Sequence, residues 1–510
     1  VSAVGPRRGL LLAALAASLA ACGGHSATTA STSREATTAQ RNATTATTAS
    51  APRTFPDGDW KTFDYGPQRA GVGPARTGIN SSNVSSLRRR VVSIDGVADS
   101  SPIQLHGVRV RGRLRDVVVL TTTYGRTIAL DPATGAKLWE YVPSNVHSYE
   151  GTRQVTTASP VASADRAYVF SASPDGVIHK LQLSNGTAAW STRITFDPTR
   201  EKIAAALNVS VPYVVAATGG YYGDAPTYQG HVVLIDSASG RIAHVFNSLC
   251  SDRHGLIDPP SSCPPSGSAI WARAGTVVES GSGRLLLATG NGPFNGSTNW
   301  GDSVLELSPD ASSLLHNWTP TNEAQLQASD TDVGSTGPAV LPGRLAVQGG
   351  KSGSLALVDL NRLNGTAGGA SSRKGGEIQT ISAPGGSAVM TAPAVWTASG
   401  RTYVFAANDA GTAGYVLSGR RLHKAWEHGA PGTSPVLAGG LLYVYDEIGG
   451  TLRVLRPATG ATVAALPAAS GHWNSPIVVG GRVILPVGGG TEGPDHVTSG
   501  RVLIYHLPGR

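Results

Sequence analysis

The sequence predicts an all-β fold: an eight-bladed β-propeller of four-stranded antiparallel blades, with the last blade closed by an N-terminal strand. Three observations lead to it. Of 510 residues, 64 are Gly and 32 are Pro, and only 15% are charged. That balance suits short strands joined by tight turns rather than long helices. One pattern recurs through residues 100–506, and a repeat of this length marks stacked units that cannot bury their faces alone. A large aromatic closes most copies (Trp139, Trp190, Phe246, Trp318 and Trp426), offering an apolar area to the neighbouring unit.

Taken in order, the chain opens with Arg7 and Arg8, an apolar run over residues 10–19, and small residues. This is the layout of an export signal, too short to span a bilayer permanently. LAAC at residues 19–22 resembles the bacterial lipobox, which implies a signal peptide of residues 1–21 and a lipid on the sulfur of Cys22. Residues 22–55 are mostly Thr, Ala and Ser beyond that Cys. Such a segment buries too little apolar surface to offset its ordering entropy and reads as a disordered tether. Residues 56–510 then form the propeller. The expected location is extracytoplasmic, in the cell envelope, with membrane contact only through the N-terminal lipid.

Each repeat runs from a small-Pro-apolar start into a β-rich run, a Gly-containing turn, a second run ending near Asp, another turn and an aromatic. The first copy is SPIQL followed by DVVVLTTTYGRTIALDPATGAKLWEY; the second is SPVAS followed by RAYVFSASPDGVIHKLQLSNGTAAW. Later copies start at Pro212, near Ala269, and at Pro338, Pro393, Pro435 and Pro476. Period-2 apolar runs form the strands, and turns such as 131–135 and 236–240 supply Asp acceptors and a Gly free to take positive φ. The last copy has only three strands, while a solitary run over residues 87–94 precedes the first. That run is expected to complete the last blade, which removes an open edge.

The formal charge of +8 includes five Lys/Arg and one acid before residue 56, leaving 36 basic and 32 acidic residues in the body. No basic run interleaves with aromatics, so no nucleic-acid partner is expected. Cysteine is limited to Cys22, Cys250 and Cys263, with no CxxC and no CxxCH, so neither covalent haem nor a thiol-rich metal site is signalled. Export permits disulfides. Cys250 and Cys263 flank the loop SDRHGLIDPPSS and are expected to bridge and pin it.

Parity along a meander places loops between strands two and three, and from strand four to the next blade, on one face. The long insertions fall there: 141–157, 191–210, 219–230, 247–268, 290–302 and 319–336. Elaborated loops over a rigid scaffold are where function is expected. The stretch 267–360 puts Trp271, Asn291, Asp330, Asp332 and Lys351 on that face, with Asp224 in the loop of the third blade.

DPATGAKLWEY, the SP starts and the opening WKTFDYGPQRAGVGPARTGI resemble the repeats of quinoprotein-type propellers: pyrroloquinoline quinone (PQQ) dehydrogenases and their non-enzymatic relatives. The stretch 267–360 resembles polyvinyl-alcohol-dehydrogenase-like members in order and spacing. The resemblance implies Trp271 as the floor for the flat quinone and Lys351 as the basic residue near its oxygens. It implies Asn291 as a calcium ligand and Asp332 or Asp330 as the catalytic base, with Asp224 a candidate further metal ligand. Calcium wants oxygen donors and acts as a Lewis acid. A carboxylate takes the alcohol proton as hydride leaves. The third-blade loop, TGGYYGDAPTYQG, lacks the Glu often found there, and the adjacent-cysteine pair and haem segment of many relatives are absent.

Each of these residues also has a plain structural use, as blade packing, turn former or solvated charge. Three readings stand. The first is a PQQ- and calcium-dependent alcohol dehydrogenase-like oxidoreductase, acting on a small-molecule alcohol with a separate electron acceptor. The second is a cofactor-free scaffold with envelope protein partners, like outer-membrane assembly lipoproteins. The third is an envelope ligand-binding propeller using Tyr221, Tyr222 and Trp300.

Overall fold

Eight four-stranded antiparallel sheets follow one another along the chain. The computed structural model describes residues 58–259, 261–365, 373–488 and 499–508. The expected signal peptide, Cys22 and the expected tether lie outside the described residues. The blades span residues 103–141, 161–193, 208–247, 277–318, 339–382, 394–428, 436–467 and 477–506, each a meander in chain order. The third starts at Asn208 rather than Pro212, because Pro212 turns the chain between its first two strands. The eighth takes Arg88–Asp95 as its outer strand, Arg88 opposite His506 and Asp95 opposite Ser499, so the ring closes as expected.

Apolar clusters lie between blades rather than within them. Ile103, Val117 and Val119 of the first blade share one with Val169 and Leu181 of the second. Phe170 of the second shares another with Val214 and Val233 of the third. The closing aromatics lock this packing. A Cβ on Gly186 would fall 2.6 Å from the ring of Trp139, one on Gly240 2.8 Å from Trp190, and one on Gly460 2.4 Å from Trp426. Only Gly, at positive φ in the turn of the following blade, lets the indole lie flat against backbone. Each indole N–H then donates to a carbonyl of that same turn region, Leu183, Ser237 and Pro457 respectively.

The sequence reading did not anticipate the segment 60–77. Its backbone runs around the free edges of the innermost strands. Trp60 pairs with Gln104, Lys61 O accepts from Ala162, and Pro67 O from Val278. Ala70 O accepts from Val395, Gly71 O from Leu437 and Thr77 O from Gly481. An inner edge left bare would carry unpaired amides, and this strip supplies their partners. Phe63 packs with Ala206, Ala274 and Ala392 on the axis. Arg69, 2% exposed, donates to the carbonyls of Phe63, Ala274 and Leu207. The axis is therefore filled, and its filling lies beneath the face that carries the long loops.

Candidate functional site

One cavity of about 370 Å³ opens on that face, lined by Trp271, Asn291, Asp330, Asp332, Lys351 and Asp224 among others. All six candidate cofactor, metal and catalytic residues from the sequence thus meet at one place. Their positions follow from strand ends. Asn291 leaves the second strand of the fourth blade, and Lys351 that of the fifth. Trp271, Asp330 and Asp332 lie on the connections that lead into the fourth and fifth blades.

Asp332 is the hub. Its Oδ2 accepts from the Trp271 indole N–H at 3.0 Å, and its Oδ1 lies 3.2 Å from Lys351 Nζ. The same ammonium donates to Asp330 Oδ1 at 2.9 Å and lies 5.7 Å from the centre of the Trp271 ring. Burial raises the Asp332 pKa even though Lys351 opposes the shift. Burial works against the Lys351 charge, but Asp332 and Asp330 outweigh it and hold its pKa up. The charged pair is therefore mutually dependent. Gly290 makes room for it: a Cβ there would sit 2.8 Å from Asp332 Oδ2.

Behind this pair stands Asp302, which sequence reasoning missed. Its Oδ1 accepts from the Val333 amide, and its Oδ2 from Asn291 Nδ2 at 3.3 Å. Burial, with Asp332 nearby, pushes its pKa up to about 7. Asn291 Nδ2 also donates to Leu326 O, while its Oδ1 is buried without a hydrogen-bond partner. A buried carbonyl left this way costs free energy unless a donor or cation meets it. Asp224 lies on the wall, where its Oδ1 accepts from Tyr228.

A second set of charges lines the same cavity. Lys202 and Arg273 line it beside Thr157. Arg273 pairs with buried Asp99 at 2.9 Å, and Asp99 also pairs with His472 at 2.7 Å. Burial opposes the Asp99 charge, but Arg273 and His472 hold its pKa down at about 2. Trp473 stacks on His472, lies under the Arg273 guanidinium and faces Trp271 at 6.3 Å between ring centres. The parity of the inter-blade connections puts Lys202, Arg273 and Trp473 on this face. Nothing in the local sequence of Lys202 and Arg273 set those two apart.

The disulfide forms between Cys250 and Cys263. It pins its loop at the cavity's flank, where Gln229, next to Tyr228, donates to Cys263 O. Tyr222, 80% exposed, stands at the rim of the cavity, whereas Trp300 is buried in blade packing and takes no part in the site. Among the described residues, no three His, Cys, Asp or Glu side chains form a ready metal cage.

A family model described as outer membrane protein assembly factor BamB matches residues 105–260. The quinohemoprotein alcohol dehydrogenase ADH IIB of Pseudomonas putida is 25% identical over 292 residues. That match takes in 51% of this chain and 40% of the relative, so the chain spans well under half of the curated protein it resembles. The quinohemoprotein alcohol dehydrogenase of Comamonas testosteroni superposes with a TM-score of 0.62 at 16% identity, covering 89% of this chain and 81% of that one. A europium-containing methanol dehydrogenase superposes with a TM-score of 0.67 at 16% identity, covering 88% and 98%. The chain shares the propeller fold of these structures. In this propeller, the cavity sits where the axis meets the long-loop face.

Proposed function

We propose that the cavity binds PQQ with a hard cation and that the protein oxidises an alcohol, passing electrons to a separate acceptor. The observation that carries this reading is the convergence of Trp271, Asn291, Asp330, Asp332 and Lys351 on one cavity. The residues fit the quinone. The volume lies in the range of small-molecule sites, Trp271 offers a flat face, and Lys202, Arg273 and Lys351 offer cations to carboxylates and quinone oxygens. They fit a cation in part. The unpartnered Asn291 Oδ1 and the Asp332 carboxylate would hold it, with remaining donors from the quinone and water.

When bound, the quinone supplies the hydride acceptor. The chain's own residues do the rest. Asp332 and Asp330 are the carboxylates placed to take the alcohol proton. Burial of Asp332 favours its holding a proton. Lys351 keeps both acids oriented, and the Trp271–Asp332 hydrogen bond fixes the angle between the flat face and the base.

Titrating the full chain with PQQ and calcium, following quinone absorbance and thermal stability, tests this. Calcium-dependent binding that is lost in Trp271→Ala and Asn291→Ala, both still folded by melting, is the expected result. Absence of binding by the folded wild type would overturn it.

A second reading, a cofactor-free envelope scaffold, draws support from the BamB-described match and from the internal pairing of Lys351 with both acids. The leader supports export and anchoring through Cys22 in either case. Palmitate labelling that disappears in Cys22→Ser is the expected readout.

A further inference from the structure

The face opposite the cavity is built from the turns between strands one and two, and between strands three and four, of each blade. Six blades each place there an exposed arginine with no ion pair among the described residues: Arg113, Arg241, Arg362, Arg401, Arg456 and, at the start of the closing strand, Arg88. The carboxylates of this face are largely spent. Asp59 pairs with Arg166, Asp131 with Arg115, Glu279 with Arg344 and Asp359 with Arg420, while Asp165, Asp236 and Asp310 accept from serine hydroxyls of their own turns. The long-loop face has the reverse excess. Asp175, Asp224, Asp252, Asp258 and Asp409 stand on its loops without an ion pair among the described residues, with Arg153, Arg193 and Arg253 as the exposed, unpaired cations set against them.

We propose that the short-turn face docks on an anionic phospholipid surface and leaves the cavity turned away from the bilayer. The inference stands apart from the quinone reading. The sequence assigned membrane contact to the N-terminal lipid alone; this face is a second contact.

Four observations point to a lipid surface. The cations are arginines, whose weakly hydrated planar forks match phosphate oxygens. The face is shallow, with turns of only two residues at 111–112, 399–400, 439–440 and 480–481, so it suits a broad flat partner better than one that needs a groove. Apolar side chains stand among the charges: Leu114, next to Arg113, is 71% exposed, and Val211, in a turn of the third blade, is 69% exposed. Basic and apolar groups side by side suit the headgroup region. The long-loop face also exposes Phe196 and Tyr222, so charge decides which face turns to the bilayer, and the opposed excesses orient the molecule as it approaches. Finally, the chain joins the ring on the basic side. Asp59 is held by Arg166, in the turn between the first two strands of the second blade, so an anchor at Cys22 is attached through this face.

The test is cosedimentation of the full chain, carrying Cys22→Ser to remove the lipid site, with vesicles of phosphatidylcholine alone or mixed in equal parts with phosphatidylglycerol. Two charge-matched triple variants are compared. One carries Arg241→Glu, Arg401→Glu and Arg456→Glu on the basic face; the other carries Arg153→Glu, Arg193→Glu and Arg253→Glu on the long-loop face. All six positions are exposed, and both variants should melt like wild type. Wild type should bind the mixed vesicles, and more weakly as salt is raised. The basic-face triple should lose about a hundredfold in affinity, at roughly fivefold per arginine, and the long-loop triple less than about tenfold. Equal losses in the two triples would mean that net charge and not this face does the binding, and would overturn the proposal. So would equal binding to phosphatidylcholine alone, or no binding to either vesicle. Duplex DNA serves as the competing polyanion: binding to it that the basic-face triple abolishes, with none to vesicles, would give the face to a nucleic acid and overturn the lipid assignment.

Discussion

The fourth and sixth blades share one topology and use it differently. In the sixth, three successive strands, Arg401–Asn408, Gly411–Ser418 and Arg421–His428, each run eight residues. Asn408 stands opposite Gly411, so two residues suffice to turn the chain. In the fourth, Leu285–Ala288 and Val304–Leu307 run only four residues each, and residues 289–303 form the loop between them. The fourth blade leaves its sheet early and spends the chain on Gly290, Asn291 and Asp302. Hydrogen-bonded length has been exchanged for site chemistry, and the long-stranded side of the ring is the scaffold that makes the exchange tolerable.

Three substitutions would break or sharpen this contrast. The largest effect is expected on the scaffold side. Phe405 is fully buried, with its ring centre 6.0 Å from those of both Trp426 and Tyr403. Phe405→Ala should cost about 3–5 kcal/mol, read by urea denaturation, and should leave the affinity of the remaining folded protein for a cavity ligand unchanged. A loss of affinity larger than the loss of folded protein would mean that the two sides are not separable.

Next in size is Asp302→Asn. The Asp302 pKa is raised to about 7 from 3.8. The folded state therefore holds this proton more tightly than the unfolded chain does. The group's contribution is fully present below about pH 4 and is lost as pH rises to about 7. The amide mimics the protonated acid, so the variant should be more stable than wild type by about 2–4 kcal/mol at pH 8 and indistinguishable from it near pH 4. Denaturation curves at the two pH values decide it; equal stability at pH 8 would mean that the site stores no such strain.

The smallest stability change, about 1 kcal/mol, is expected for Gly290→Ala, whose Cβ presses on Asp332 Oδ2 and lies 3.2 Å from Trp271 Nε1. Here binding should suffer more than folding, the reverse of Phe405→Ala. Tryptophan fluorescence together with ligand titration would show the indole released from Asp332.

Much of the ring was legible before its structure. Apolar period, Asp-and-Gly turns and the closing aromatics are local signals, and they pointed to the blades and to a sealing strand over 87–94, observed at Arg88–Asp95, while two cysteines flanking one loop pointed to the disulfide. Parity then sorted the loops onto faces and brought Trp271, Asn291, Asp330, Asp332 and Lys351 to one cavity. What stayed hidden depends on the axis, where residues remote in sequence meet. The strip 60–77 has no strand period, because its partners are the edges of different blades in turn. Asp302 reads as a turn residue until Val333 and Asn291 are seen beside it. Lys202 and Arg273 look like ordinary surface charges until the cavity encloses them. Pro212 misled because a Pro in a turn and a Pro at a strand start look alike in sequence.

The seal between Arg88–Asp95 and Ser499–His506 has a consequence for how the molecule is made. The closing strand is among the first parts of the propeller to be synthesised and the last to find its partner. Until then every blade has been laid down as an open arc with two raw ends, so circular closure is a single late event rather than a gradual gain. Cooperative strength in the finished ring is the other side of that delay. Trimming either end would not shorten the structure by one strand; it would unlatch a hoop.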